Sequence, residues 1–178
     1  MLEGLLTIFL TFIASYGLAF GLKFALNTEY PLGAIPTGSM IPTYNIGDLI
    51  LIRGPNSVSE IRVGDVIVFH NPKPGCYDEL IIHRVNSTYS RNGIQYFVTK
   101  GDNNPSIDYW PVPASYVVGK VVAGVPFLGY VFLFINGIFD KMGVPLDLRT
   151  PLLTIGLAIL VILSGVFPSE KEKVCNSK

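Results

Sequence analysis

The sequence predicts a mainly β fold: a small all-β domain placed between an N-terminal and a C-terminal transmembrane helix. Of its 178 residues, 49% are hydrophobic and 15% are charged, whereas soluble domains usually carry roughly 25% charged residues. The apolar residues concentrate in uncharged runs near the two ends. Between these runs, short β-branched and aromatic stretches alternate with Gly, Pro, Asn and Asp clusters, which is typical of strands and turns.

The first element is the uncharged run 4–22, which lies between Glu3 and Lys23. At a rise of about 1.5 Å per residue, a helix of this length nearly spans the hydrocarbon core of a bilayer. A cleavable signal peptide is the alternative. However, the N-terminus carries Glu3 and no basic residue before the apolar run, and no clear small-x-small cleavage site follows. We therefore expect residues 1–26 to form a retained membrane anchor.

The middle segment, residues 27–125, is the predicted β-rich domain. Its strand-like runs are 49–52, 66–69, 80–82, 94–98, 117–118 and 121–122. Asn92-Gly93 separates two strand-like runs and is a strong hairpin signal. Asp48 and Asp65 each follow a glycine at the start of a run, and we expect both to cap turns.

Two apolar segments follow the β-rich domain. Residues 121–139 are uncharged, but glycine, proline and asparagine interrupt them, so we expect a strand end and then a membrane-surface segment over 126–148. The alternative, a full span, would place the C-terminus on the opposite side. Residues 149–169 predict a second transmembrane helix, and 170–178 a short cytoplasmic tail. Two spans predict a multi-pass protein of the cell membrane with its middle domain on the extracytoplasmic side.

The apolar side chains Ile35, Met40 and Ile41 lie between the first uncharged run and the first strand-like run. Together with residues 125–139, they are expected to form an apolar surface that rests on lipid.

Composition argues against several other classes of function. The formal net charge is zero and no segment carries a basic patch, so nucleic acid is not an expected partner. Cys76 and Cys175 lie far apart in different kinds of sequence, and we expect no disulfide between them. With two histidines and no CxxC motif, the sequence predicts no metal site and no cofactor.

The segment Pro36–Pro42 has the clearest chemical content. Ser39 lies between Pro36 and Pro42, which make the backbone rigid, and directly after Gly38, which lets the backbone adopt more conformations. A serine hydroxyl is a weak nucleophile until a neighbouring base takes its proton, and histidine suits that task. His83 ends an apolar run, although a histidine in that position, taken alone, is more often structural. His70 ends another run and is expected to face solvent in a loop.

A carboxylate that orients the histidine would complete such a site. Asp102 and Asp108 both lie in the segment 100–108, which is dense in Gly, Asn, Asp and Pro. Either aspartate could instead cap backbone N–H groups in an irregular loop. The residues alone leave open which of the two contacts His83.

Five sequence boxes, in this order, resemble those of type I signal peptidases. The boxes are Thr37–Thr43, Gly47-Asp48, Gly64–Phe69, Ile82–Val85 and Thr99–Asp108. The resemblance spans residues 36 to about 130. Bacterial members carry a lysine where His83 stands, whereas archaeal and endoplasmic-reticulum members carry histidine, so the chain is similar to that second branch. Pro105 and Ile107 depart from the usual pattern of the last box.

The resemblance implies a membrane-bound serine endopeptidase that removes N-terminal signal peptides from secreted preproteins at small-x-small sites. The implied roles are nucleophile for Ser39, general base for His83, third catalytic residue for Asp108, support for Asp102 and oxyanion binding for Thr37. The implied partners are preprotein signal peptides, the lipid bilayer and the secretion translocon.

Two alternatives remain open from the residues. A membrane-tethered β-domain that binds other proteins would explain the anchors and strands, but not the co-occurrence of Ser39, His83 and Asp108. A Ser–Lys protease similar to self-cleaving repressors would need a lysine at position 83.

Overall fold

A seven-stranded antiparallel sheet dominates the computed structural model, which describes residues 2–143. The elements are α1 (Leu2–Ala25), β1 (Leu32–Ala34), β2 (Leu49–Arg53), β3 (Val66–His70), β4 (Leu80–Arg91), β5 (Ile94–Lys100), β6 (Val112–Pro113), β7 (Val117–Val125) and α2 (Gly129–Lys141). Short 3₁₀ turns occupy Gly38–Met40, Val58–Glu60 and Ala114–Tyr116. The predicted second span, 149–169, and the predicted tail, 170–178, lie outside the described residues.

The strands are ordered β1-β2-β7-β3-β4-β5-β6, and neighbouring strands are antiparallel. The sheet belongs to a compact unit of residues 21–138, and a second unit contributes residues 2–20 and 139–143 to the described chain. The mainly β prediction is confirmed. Strands β1 and β6 were not predicted from the sequence, because strands of three and two residues are too short to show an alternating pattern.

The predicted hairpin at Asn92-Gly93 is confirmed. Arg91 of β4 pairs with Ile94 of β5 across it. Asn92 has φ 52° and Gly93 has φ 76°, and two positive φ angles in a row are what a type I′ hairpin turn requires. The turn matches the twist of the flanking strands, and β4, which continues well past the predicted run 80–82, pairs with β5 up to this turn.

Strand β3 is buried on both faces of the sheet. Val66 and Val68 belong to one hydrophobic cluster, whereas Ile67 and Phe69 belong to a second. This alternation follows from the two-residue period of a strand. The first cluster also contains Ile35 at 2% exposure and Met40 at 1%. The expectation that Ile35 and Met40 rest on lipid was therefore wrong, because both side chains fill the core of the sheet domain.

The two Gly-Asp turns are built as predicted. Asp48 accepts a hydrogen bond from the Asn45 N–H at 2.8 Å, and Asp65 accepts one from the Arg62 N–H at 2.9 Å. Asp65 also forms an ion pair with Lys120 at 2.7 Å. Both carboxylates therefore fix turns that lead into strands.

The segments predicted to meet a membrane are partly described. Residues 2–25 form α1. Within residues 2–143, no helix is both long enough and apolar enough to cross a membrane, so the predicted N-terminal span is not confirmed. Residues 121–139 form the end of β7 and then most of the 13-residue helix α2. The expected strand end is confirmed, and the membrane-surface position of 126–148 stays a prediction.

Candidate active site

Ser39 lies in the 3₁₀ turn between β1 and β2. The next residue, Met40, is buried in the core of the sheet domain, so core packing fixes the backbone that carries the serine. Ser39 itself is half-buried. The hydroxyl oxygen of Thr37 lies 3.4 Å from that of Ser39. The turn therefore presents two hydroxyl groups side by side.

His83 lies on β4, opposite Ile67 of β3, and is 9% exposed. Its Nδ1 lies 2.6 Å from Oδ2 of Asp108. An ionised carboxylate can only accept hydrogen bonds, so Nδ1 carries the proton that it donates to Asp108. In the neutral imidazole this leaves the lone pair on Nε2, the nitrogen that can take a proton from another group.

Asp108 is held by the end of β5. Its N–H donates to the Thr99 carbonyl at 2.8 Å, and its Oδ2 accepts a hydrogen bond from the Thr99 hydroxyl at 2.6 Å. Thr99 is completely buried. No sequence motif assigns Thr99 a role, although it follows buried Phe97 at the two-residue spacing that marks the inward face of a strand. A polar residue in such a position needs a partner, and Asp108 provides it.

Asp102 has a different set of partners. Arg84 donates to it twice, from Nε to Oδ1 at 2.8 Å and from Nη2 to Oδ2 at 2.6 Å. The Thr43 hydroxyl donates to Oδ2 at 2.5 Å. The hydrogen bonds from the Arg84 guanidinium hold the pKa of the Asp102 carboxyl below its ordinary value, and the same contact raises the pKa of Arg84. Such a two-point ion pair fixes the geometry of both groups.

Asn103 connects the loop to the serine turn. Its backbone N–H donates to the Ser39 carbonyl at 2.8 Å, and its side-chain Nδ2 donates to the Gly38 carbonyl at 3.2 Å. Arg84 meanwhile ties the same loop to Thr43, just beyond the serine turn, with Nη2 at 3.0 Å from the Thr43 hydroxyl. Loop 101–108 thus contacts both the backbone of Ser39 and the side chain of His83.

Ser39 and His83 line one groove of about 310 Å³. The remaining lining residues are Ile35, Pro36, Thr37, Met40, Glu79, Leu80, Ile81 and Ile82. Residues Leu80–His83 pair with β3 on one side, whereas the pairing of β4 with β5 begins at Arg84. The groove therefore combines a hydroxyl, an oriented imidazole and a stretch of strand edge.

The second histidine lies elsewhere. His70 is the last residue of β3, its Nδ1 lies 2.8 Å from the Tyr77 carbonyl oxygen, and its ring stacks on that of Tyr77 with centroids 4.2 Å apart. His70 ends a strand, as expected, but stacking on Tyr77 leaves it half-buried and not fully exposed to solvent. Among the described residues, no group of three or more His, Cys, Asp or Glu could hold a metal ion.

Comparisons with known proteins agree on one family. The model of the family described as signal peptidase, peptidase S26, matches residues 5–96. The signal peptidase complex catalytic subunit SEC11 of Pyricularia oryzae is 32% identical over 123 residues, which cover 65% of this chain and 70% of that protein. The proteins of the same name from Fusarium vanettenii and Metarhizium acridum are each 33% identical over the same shares. The chain therefore belongs to the signal peptidases of peptidase family S26, which are serine peptidases, and groups with their SEC11-type branch.

Proposed function

We propose that this chain removes signal peptides from preproteins by acylation of Ser39, with His83 as general base and Asp108 as the carboxylate that orients it. Membership of the family supports signal peptide removal. The observation that supports this assignment of roles is the 2.6 Å contact between His83 Nδ1 and Asp108 Oδ2. Because Nδ1 of His83 donates to Asp108, Nε2 is the ring nitrogen that can take the proton of Ser39. Both His83 and Ser39 line the same groove.

The proposed reaction begins when Ser39 Oγ attacks the carbonyl carbon of the scissile bond while His83 Nε2 takes the serine proton. Asp108 stabilises the imidazolium that forms and keeps its tautomer fixed. His83 then gives the proton to the leaving amine, which departs with the mature protein. A water molecule hydrolyses the acyl-enzyme, with His83 acting as base for a second time.

Negative charge on the substrate oxygen requires hydrogen-bond donors in the groove. We assign this task to the backbone N–H of Ser39 and to the hydroxyl of Thr37, which lies 3.4 Å from the serine oxygen. Donors preorganised in this way favour the transition state over the ground state.

The substrate is proposed to bind as an added strand. The free edge of Leu80–His83 can pair with an extended peptide through main-chain hydrogen bonds, which do not depend on sequence. Ile35, Met40 and Ile82 line the same groove and leave apolar space beside the edge. In an extended peptide, alternate side chains point to the same side, so the first and third residues before the cut would both face these apolar side chains. This arrangement agrees with small side chains at those two positions.

The proposed site of action is a membrane surface on the extracytoplasmic side. The proposed location is supported by the uncharged runs 4–22 and 150–169 of the sequence. It is also supported by the apolar side chains that α2 exposes, among them Tyr130, Val131 and Phe134. Retention of the full-length chain in the membrane pellet after alkaline carbonate extraction is the expected result. Complete release into the supernatant would contradict membrane insertion.

The test of the proposed chemistry is cleavage of a model signal peptide by the full-length chain. Ser39→Ala and His83→Ala should each lower the rate by a factor on the order of 10⁴ to 10⁶ while the fold is kept. The matched control is Ser59→Ala, because Ser59 also lies in a 3₁₀ turn, Val58–Glu60, and contacts Ser57. Normal cleavage by folded Ser39→Ala would reject the assignment of the nucleophile, whereas no cleavage by the folded, unmodified chain would favour a binding module.

A further inference from the structure

Asn103 contacts the backbone on both sides of Ser39. Its N–H donates to the Ser39 carbonyl at 2.8 Å, and its side-chain amide donates to the Gly38 carbonyl at 3.2 Å. One loop residue therefore holds two consecutive peptide units. Gly101 permits this close approach, since a Cβ at that position would lie 2.8 Å from the Ser39 carbonyl oxygen.

The Gly38 carbonyl belongs to the same peptide unit as the Ser39 N–H. The cis peptide bond of the described chain is Ile41–Pro42, so the Gly38–Ser39 bond is trans and its C=O and N–H point in opposite directions. A donor that holds the carbonyl on the loop side aims the N–H away from the loop. The Ile41 N–H also donates to the Gly38 carbonyl, at 3.3 Å, and hydrogen bonds to a carbonyl polarise the N–H of the same peptide unit.

We propose that Asn103 is a positioning residue for oxyanion stabilisation. Through the Gly38–Ser39 peptide, its side chain orients the Ser39 N–H toward the substrate carbonyl oxygen. This inference rests on the proposed role of Ser39 as nucleophile. Because such a donor acts on the transition state and not on the bound substrate, loss of the Asn103 amide lowers kcat and leaves KM unchanged.

The experiment measures kcat and KM for a model signal peptide with full-length Asn103→Ala and Asn104→Ala. Asn104 is the matched control because it lies next in the loop and its N–H donates to the Gly101 carbonyl. We expect Asn103→Ala to lower kcat about 10-fold at constant KM, less than the roughly 10²- to 10³-fold loss when an oxyanion donor is removed outright. Asn104→Ala should stay within about twofold of the unmodified chain in kcat.

A peptide aldehyde provides a second readout, because it forms a tetrahedral adduct with a catalytic serine. Its inhibition constant should rise by the factor by which kcat/KM falls in Asn103→Ala. If the alanine variant does not fold, Asn103→Asp takes its place. It keeps the backbone N–H and the side-chain size but replaces the donating amide, so it should show the same loss of kcat.

An unchanged kcat, a change confined to KM or equal losses in the Asn103 and Asn104 variants would overturn the inference. Failure of the proposed function has a different signature, namely activity in Ser39→Ala.

Discussion

Asp102 and Asp108 lie six positions apart in one loop, yet the structure gives them different partners. Asp102 faces the guanidinium of Arg84, and Asp108 faces the imidazole of His83. An arginine does not release its proton in a protein, so its pair with Asp102 can only fix structure. A histidine can accept and release a proton during a reaction. The difference shows that the partner, and not the acidic residue, separates a structural contact from one suited to catalysis.

The two partners are neighbours on β4, and successive side chains of a strand point to opposite faces. His83 is 9% exposed and lies against the core, whereas Arg84 is half-buried and reaches Thr43 and the Gly64 carbonyl. Loop 101–108 therefore meets β4 through both side chains. The contact between Asp102 and Arg84 holds the loop against β4, and the loop held in this way places Asp108 beside His83.

The largest expected effect on this comparison comes from Asp108→Asn. An amide in place of the carboxylate can donate to Nδ1 and favour the wrong tautomer of His83, so kcat for a model signal peptide should fall by about 10⁴-fold. The unfolding transition should stay close to that of the unmodified chain. Near-normal kcat in the folded variant would remove Asp108 from the proposed site.

Asp102→Ala should act mainly on stability. It leaves the partly buried Arg84 guanidinium without its carboxylate, and we expect the free energy of unfolding to fall by about 2–3 kcal/mol. Chemical denaturation of the full-length chain measures this, with exposed Asp78→Ala as the control that removes a carboxylate without a comparable effect. The folded fraction of Asp102→Ala should retain kcat within about tenfold. A loss as large as that of Asp108→Asn would reverse the two roles.

The smallest expected effect is on the pH dependence of stability. The pKa of Asp102 lies below its ordinary value of 3.8, because Arg84 hydrogen bonds to the ionised form. A carboxyl with a depressed pKa in the folded state stabilises the fold above its unfolded pKa and loses that contribution as the pH falls through its folded pKa. The free energy of unfolding of the unmodified chain minus that of Asp102→Asn should therefore be constant above about pH 5 and shrink below about pH 4. A difference that grows on acidification would contradict the ion pair.

Much of the sheet could be predicted from sequence, because strands such as Val66–Phe69 are continuous runs of β-branched and aromatic residues and Asn92-Gly93 marks its hairpin locally. The candidate residues Ser39, His83 and Asp108 could be named from their sequence boxes. The hydrogen-bond partners of these residues could not be established from the residues alone. The choice between Asp102 and Asp108 depends on how an irregular loop folds onto β4, and no periodicity describes a loop.

The contacts of Thr99 and Asn103 show the same limit. Thr99 lies in a regular strand, but its hydroxyl matters because a residue nine positions later returns to it. Asn103 reaches the Gly38 carbonyl 65 positions earlier in the chain. Long-range pairs of this kind depend on the assembled sheet, whereas a single sequence shows only local preferences.

The central claim, that Asp108 and not Asp102 holds His83, can be tested directly by nuclear magnetic resonance of the imidazoles. The chain has two histidines, so selective nitrogen-15 labelling of histidine gives two rings, and His70→Ala assigns them. We expect Asp108→Asn to shift the His83 ring nitrogens and the Nδ1 proton, while Asp102→Asn shifts them far less. A shift of the His83 signals in Asp102→Asn, with none in Asp108→Asn, would contradict the arrangement described for this site.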